Sequence, residues 1–309
     1  MSRSKSVAKK QGPAAGDSFQ TRLLREIRGY AEALVIAFFI VTFIFTTVGV
    51  VGSSMRPNLD GGKPTASLLE AMFTGDRVFI PKFDTWLRRA GILPNYKRGE
   101  VIVVREPVNA PSYFRRKQQN CRTFLWMDGC RPFFIKRLIA LPGDRLSIKE
   151  GQVYVNGIAI DQGFISDSGE IDIYPVNYPV IQVEKGQVLG FQGLSEGSYE
   201  PSFNGPRPVS VTSPWVQTFY GNTLSALAPL PADAPENEAF VHEIIIPEGH
   251  YFIMGDNRTR TGSEDSRYFG PVPIMSVAGK ASAVIWPPMR QGSLNWRVLG
   301  PPEAFKAIP

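Results

Sequence analysis

Residues 33–51 read ALVIAFFIVTFIFTTVGVV, and residues 52–57 directly after them read GSSMRP. The first stretch contains no charged residue and is 19 residues long, enough to cross a bilayer as a helix. Upstream of it lie Arg3, Lys5, Lys9, Lys10, Arg22, Arg25 and Arg28, against few acids. A positive flank of this kind holds the N-terminal side in the cytoplasm and sends the C-terminal body across the membrane. The alternative is a cleavable signal peptide, whose apolar core is shorter, about 7–15 residues. Only the weakly permissive Val48-Gly49-Val50 approaches a small-x-small cleavage site. Length and flanks together favour an anchor.

The remainder has the composition of a folded protein: 43% hydrophobic and 20% charged residues exclude a disordered chain. A net charge of +6, with the basic residues gathered near the N-terminus and around 115–122, gives no reason to expect nucleic acid as a partner. Cys121 and Cys130 are the only cysteines, and His242 and His250 the only histidines. Their spacing fits no metal-ligand pattern, and no metal or organic cofactor is implied. An exported body permits a disulfide between the two cysteines as a staple; two buried free thiols are the alternative.

After Gly52 the pattern is mainly β. Short β-branched or aromatic runs recur at 77–81, 101–105, 133–141, 146–148, 152–155, 242–246, 251–254 and 281–286, most of them bounded by turn formers. Asn156-Gly157 within 153–160 is a strong hairpin signal. Residues 67–73 suggest one or two helical turns. The expected organisation is a disordered cytosolic tail at 1–20, a transmembrane anchor at 21–51, a catalytic β domain at 52–160 and 241–287, a loop-rich inserted cap at 161–240, and an irregular C-terminal tail at 288–309.

Ser54 thus stands just beyond the apolar stretch, and Lys136 lies inside the apolar run Phe133-Phe134-Ile135-Lys136-Arg137-Leu138-Ile139. A serine hydroxyl is a poor nucleophile until a base removes its proton. A lysine amine is normally protonated near neutral pH, but burial disfavours the charged form and lowers its pKa. On a strand Phe134 and Leu138 would share a face with Lys136, and Arg137 would point the other way. Taken singly, each residue has a plain structural explanation: Ser54 as a turn residue, Lys136 as a solvated strand position.

Four ordered motifs go further. Ser54-Met55-Arg56-Pro57-Asn58-Leu59, Gly75-Asp76-Arg77-Val78, Phe134-Ile135-Lys136-Arg137-Leu138-Ile139-Ala140-Leu141-Pro142-Gly143-Asp144, and Gly255-Asp256-Asn257-Arg258 with Ser263-Glu264-Asp265-Ser266-Arg267 follow one another after the anchor. The set resembles the bacterial type I signal (leader) peptidases, membrane-anchored Ser/Lys proteases of family S26. By that resemblance Ser54 attacks the scissile carbonyl and Lys136 is the general base. Ser263 orients the lysine amine, Asp265 and Arg267 form an ion pair behind the site, and Gly255, Asp256 and Asn257 form a supporting turn. Some members carry a hydroxyl residue two positions before the nucleophile, as part of the oxyanion hole; here that position is Gly52, which leaves backbone donors, chiefly the Ser54 N–H. Asn58 stands where threonine is usual, 59–75 is long, and 255–267 is slightly longer than the common spacing.

The resemblance implies a bacterial inner-membrane endopeptidase with its catalytic domain outside the cytoplasm. It would cut signal-peptide-bearing preproteins after a small-x-small motif, with substrate extended along a strand edge. The lipid bilayer is the second expected partner; the oligomeric state is left open. Tyr113-Phe114-Arg115-Arg116-Lys117 and Trp126 are candidates for headgroup contact, against a solvated loop and a core tryptophan. Two rival readings are a self-cleaving Ser/Lys protease of the repressor type, which lacks a spanning helix, and a catalytically inactive membrane-tethered scaffold of the same fold.

Overall fold

The computed structural model describes residues 19–62, 74–119, 131–165, 174–192, 209–259, 262–290 and 292–309. The expected helical turns at 67–73, both cysteines, Trp126 and most of the expected N-terminal tail lie outside those residues. The chain divides into two units, Met1–Ile44 and Phe45–Pro309.

The first unit is helix α1 (Phe19–Phe39), continued by a π turn at Ile40–Ile44. Its span Arg22–Ile44 is 23 residues and contains an 18-residue window of mean hydropathy 1.9, none of that window buried inside the protein. At the helical rise the whole span is ~34 Å, of which the charge-free residues 33–44 supply ~18 Å and the charged first turns the rest. Leu34, Ile36, Phe38 and Val41 are all more than half exposed, an arrangement that water disfavours and lipid accommodates.

The apolar run does not continue as helix to residue 51. Phe45–Gly49 is strand β1, antiparallel to β2 (Arg77–Pro81), with Phe45 opposite Pro81 and Gly49 opposite Arg77. Thr46, Thr47 and Val48 are β-branched and suit a pleated strand once a partner exists. Hydropathy registers composition, not the availability of that partner.

In the second unit, β1 and β2 continue through β16 (Ala283–Trp286) to β19 (Arg297–Val298). A five-stranded sheet runs β14 (Val272–Pro273), β13 (His250–Met254), β4 (Phe133–Ala140), β3 (Val101–Arg105), β15 (Val277–Lys280). A third runs β12 (Ile244–Ile245), β5 (Arg145–Lys149), β6 (Gln152–Val155), β7 (Ile158–Ala159). The expected hairpin joins β6 to β7, with Asn156 and Gly157 both at positive φ. A fourth sheet runs β10 (Val209–Ser210), β9 (Gln187–Gln192), β8 (Val180–Glu184), β11 (Ala239–Val241). A ribbon of β17 (Met289–Arg290) and β18 (Ser293–Leu294) completes the set among the described residues. Further helices among the described residues are α2 (Lys82–Arg89), α3 (Pro111–Gln118), α4 (Pro214–Ser225) and the single turn α5 (Ser266–Phe269).

Strand β3 shows why its sequence is continuously apolar. Val101 and Val103 face one core with Met55, Leu59, Val78, Ile80 and Ile135, while Ile102 and Val104 face a second with Leu138, Phe252 and Tyr251. A strand buried on both faces has no solvated side on which to alternate.

The 161–240 segment is less loop-like than its composition suggests. Its described part carries strands β8 to β11 and helix α4, and Ile181, Phe191, Val216 and Tyr220 share the second core with Leu138 and Phe252. The four buried α4 residues Val216, Phe219, Tyr220 and Thr223 fall at helical spacing amid polar neighbours, too sparse a signal to stand out in the sequence.

Nor is the C-terminal segment an irregular tail. Strand β19 pairs with β16, and Phe305 and Ile308 enter the core at 5% and 6% exposure. The Phe305 ring centroid lies 5.7 Å from that of Phe164. Gly99, at φ 83, leaves room for Phe305; a Cβ there would come within 2.7 Å of it. Replacing Phe305 by alanine should therefore lower the unfolding free energy by about 3 kcal/mol, read as a shift of the denaturant midpoint. An unmoved midpoint would contradict a core role for this segment.

Candidate active site

The serine loop is built around two apolar anchors. Met55 and Leu59 are fully buried in the core beneath β2 and β3, and the Leu59 N–H donates to the Met55 carbonyl at 2.8 Å. Ser54 sits half-buried at the mouth of this turn. Gly52 enters it at φ 80 and forms an isolated antiparallel bridge with Gly61. A Cβ on Gly61 would stand 2.2 Å from the Gly52 carbonyl oxygen, so the close approach needs glycine at 61. At 52 the positive φ favours glycine independently of space.

Lys136 lies at the middle of β4, opposite Ile102 of β3, and is 3% exposed. Its Nζ is 5.3 Å from the centre of the Phe134 ring. Burial pushes the ammonium down to about 8, against the opposing pull of Asp265, Glu264 and Asp256. Burial, aided by the like charge of Arg267, thus outweighs three nearby carboxylates.

The segment 255–267 carries the remaining expected residues. The Asn257 N–H donates to the Ser54 carbonyl at 3.1 Å, and Asn257 Nδ2 donates to the Ser53 carbonyl at 3.2 Å. Gly255 is wedged between the two halves of the site. A Cβ there would lie 2.2 Å from Ser263 Oγ and 2.4 Å from the Ser54 carbonyl oxygen. Ser263 Oγ donates to Asp265 Oδ2 at 2.8 Å, and the same oxygen accepts the Gly255 N–H at 2.7 Å. Asp265 and Arg267 form a two-pronged ion pair, both contacts 2.8 Å, with both side chains fully buried. Burial works to raise the Asp265 carboxyl, yet Arg267 holds it below the usual carboxylate range. Ser263, Gly255, Asp265, Arg267, Asn257 and the Ser54 backbone are therefore brought together, with Lys136 in electrostatic contact with Asp265. Gly52 packs on Gly61 instead.

Two residues that the sequence reading named without giving them a role also belong to the site. Arg137, on the opposite face of β4 from Lys136, is also buried, and it grips Asp256 with contacts of 2.7 and 2.6 Å. Asn58 Nδ2 donates to the same carboxylate at 3.0 Å. Asp256 thus joins the serine loop to the lysine strand. An arginine inside an apolar strand was the available signal, since a buried guanidinium needs a carboxylate or carbonyl partner.

The family model described as signal peptidase, peptidase S26, matches residues 23–286. A probable signal peptidase I-2 of Synechocystis is 24% identical over 263 residues, covering 85% of this chain and 73% of that protein. Signal peptidase IB of Staphylococcus aureus is 24% identical over 265 residues, covering 86% and 90%. Among solved structures, a signal peptidase I from Enterococcus faecalis aligns at TM-score 0.26 and 21% identity, over 61% of this chain and 97% of that one.

Two outcomes follow from this geometry. Gly255→Ala should displace both the Ser54 carbonyl and Ser263 Oγ and abolish activity; a variant of normal rate would show the wedge to be slack. The second concerns Lys136, whose folded-state value lies below the ordinary 10.5. The native protein then bears the full cost of a buried charge below about pH 8, and sheds it as pH rises toward 10.5. Lys136→Met should stabilise the fold at neutral pH by up to about 3 kcal/mol, the gain fading at alkaline pH. Denaturant unfolding at both pH values checks this, and a variant less stable at neutral pH would contradict it.

Proposed function

The chain belongs to the signal peptidase family, peptidase S26, and from that membership we propose that it is a membrane-anchored serine endopeptidase that removes signal peptides from exported preproteins. The observation that carries the proposal is the buried Lys136, with its ammonium pushed down to about 8, beside a turn on which Ser263 and the Ser54 backbone both pack. Nucleophilic catalysis by a serine and a lysine asks for such an amine: one that gives up its proton far more readily than an ordinary lysine and is kept from water.

In this reading Lys136 Nζ takes the proton of Ser54 Oγ as the oxygen attacks the scissile carbonyl. The negative charge that develops on the carbonyl oxygen is met by backbone donors of the serine loop, chiefly the Ser54 N–H. The lysine ammonium then protonates the departing amine, which leaves an acyl ester on Ser54. Lys136 next draws a proton from water, hydroxide attacks the ester, and Ser54 is regenerated. Ser263 and Asp265 orient the amine without exchanging protons with substrate. Small residues flanking the cut enter shallow apolar pockets, which selects a small-x-small site. Helix α1 anchors the chain as a single span of the bacterial inner membrane. The excess of arginine and lysine before it keeps the N-terminus cytoplasmic and the catalytic unit on the outer side.

Ser54→Ala and Lys136→Ala should each reduce preprotein cleavage by at least about a thousandfold, with circular dichroism unchanged. Cleavage retained by either variant would remove the dyad. The rate of the native protein should climb with pH through about 8 as the ammonium deprotonates; a rate declining steadily from acid to alkali would contradict Lys136 as base.

A further inference from the structure

The serine loop is held from a second side by residues that follow the family match, which ends at residue 286. Its hub is Asp76, a fully buried carboxylate at the entry to β2. Asp76 accepts the Asp60 N–H at 2.9 Å and Asn295 Nδ2 at 3.0 Å, and it pairs with Arg290 at 3.1 Å and Arg297 at 3.5 Å. Both arginines also reach the loop itself. Arg297 donates to the Asn58 carbonyl at 2.5 Å, and Arg290 pairs with Asp60 at 3.1 Å. Asp60 in turn takes Arg56 at 2.8 Å. A stretch beginning two residues after Ser54 is thus bound by two arginines delivered by the β17–β18 ribbon and β19.

We propose that Arg290 and Arg297 are positioning residues for Ser54, clamping the loop 56–60 onto Asp76 so that the nucleophile is presented in one place. The inference rests on the serine and lysine reading above. Its physical basis is the difference between the loop's two kinds of attachment. Met55 and Leu59 hold the loop down by apolar burial, which is non-directional and tolerates sliding along the surface. Lateral position needs directional bonds. Asn58 Nδ2 to Asp256, with Asn257 to the Ser53 and Ser54 carbonyls, supplies them on the side of the lysine strand, and the Asp76 cluster supplies them for residues 56–60 on the other. Three arginines, Arg56, Arg290 and Arg297, meet two aspartates there, so each carboxylate has more than one donor and no single thermal excursion frees the loop.

A clamp and a mere staple differ in what they change. Arg290 and Arg297 are themselves 25% and 41% exposed, but Asp76 is fully buried. Removing both arginines therefore leaves its carboxylate short of partners and costs stability, and that loss acts on rate only through the unfolded fraction. A small misplacement of a reacting group, by contrast, is costly in rate. Assayed at a temperature where it stays folded, Arg290→Ala with Arg297→Ala should lower kcat by roughly ten- to a hundredfold, with KM little changed and the melting temperature lowered. Arg290→Lys with Arg297→Lys should recover only part of the loss, because an ammonium reaches one acceptor where the guanidinium fork reaches two.

The decisive experiment uses the full chain in detergent with Ser54→Cys, and follows alkylation of the introduced thiol by mass spectrometry as a function of pH. If Lys136→Met leaves that thiol's reactivity unchanged, the serine and lysine reading fails whatever the arginines do. If Lys136 governs it and the double alanine variant also slows alkylation at position 54, the clamp stands. Wild-type alkylation and wild-type kcat in the double variant would overturn it, as would a loss of activity that follows the unfolded fraction.

Discussion

An ammonium ion resists transfer from water into an apolar interior, and everything notable about this catalytic unit is arranged around one such transfer at Lys136. Strand β4 is buried on both faces, so its lysine cannot reach solvent. The cost is met in part by letting the amine shed its proton near pH 8, and that concession is what the proposed role as a base draws on. The same logic limits what can stand nearby. Asp265 alone would pull the proton back onto the amine, but its charge is shared with Arg267, two N–H or O–H donors from Gly255 and Ser263, and no solvent.

Two buried arginine–aspartate pairs organise the surroundings. Arg267–Asp265 lies within one short segment and fixes the turn that carries Ser263. Arg137–Asp256 crosses from β4 to that segment and, through Asn58, reaches the serine loop. Buried ion pairs of this kind contribute little net stability, since desolvation offsets attraction. Their value here is geometric, because bidentate pairs fix orientation as well as distance. The serine, the lysine and the 255–267 segment are far apart along the chain, and the pairs are the directional links among them.

The strands were largely legible: 77–81, 101–105, 152–155 and the Asn156-Gly157 hairpin read correctly because β-branched runs and turn residues act locally. The helix boundary at Ile44 was not, because Phe45-Thr46-Thr47-Val48 is equally apolar as helix or strand and only β2 decides between them. Helix α4 and the buried Phe305 were missed for a related reason: their apolar positions are sparse and acquire meaning only against residues distant in sequence. Within the site, Ser54, Lys136 and the Gly255-Asp256-Asn257 turn stood out as motifs, whereas Arg137 and Asn58 looked like ordinary neighbours of more conspicuous residues.

The amino-acid sequence alone determined the chemistry on offer: an uncharged stretch of 19 residues, a serine beyond it, a lysine in an apolar run, and four motifs in a family's order. These are properties of short contiguous stretches, set by side-chain type and local spacing. Only the tertiary structure decided which charges neutralise which, that Gly255 must lack a side chain, that Asp76 is a hub and not a simple turn, and that the C-terminal segment grips the serine loop. Those outcomes depend on long-range packing, since a buried charge takes its partner from whatever the fold brings within reach, and chain spacing carries no record of that.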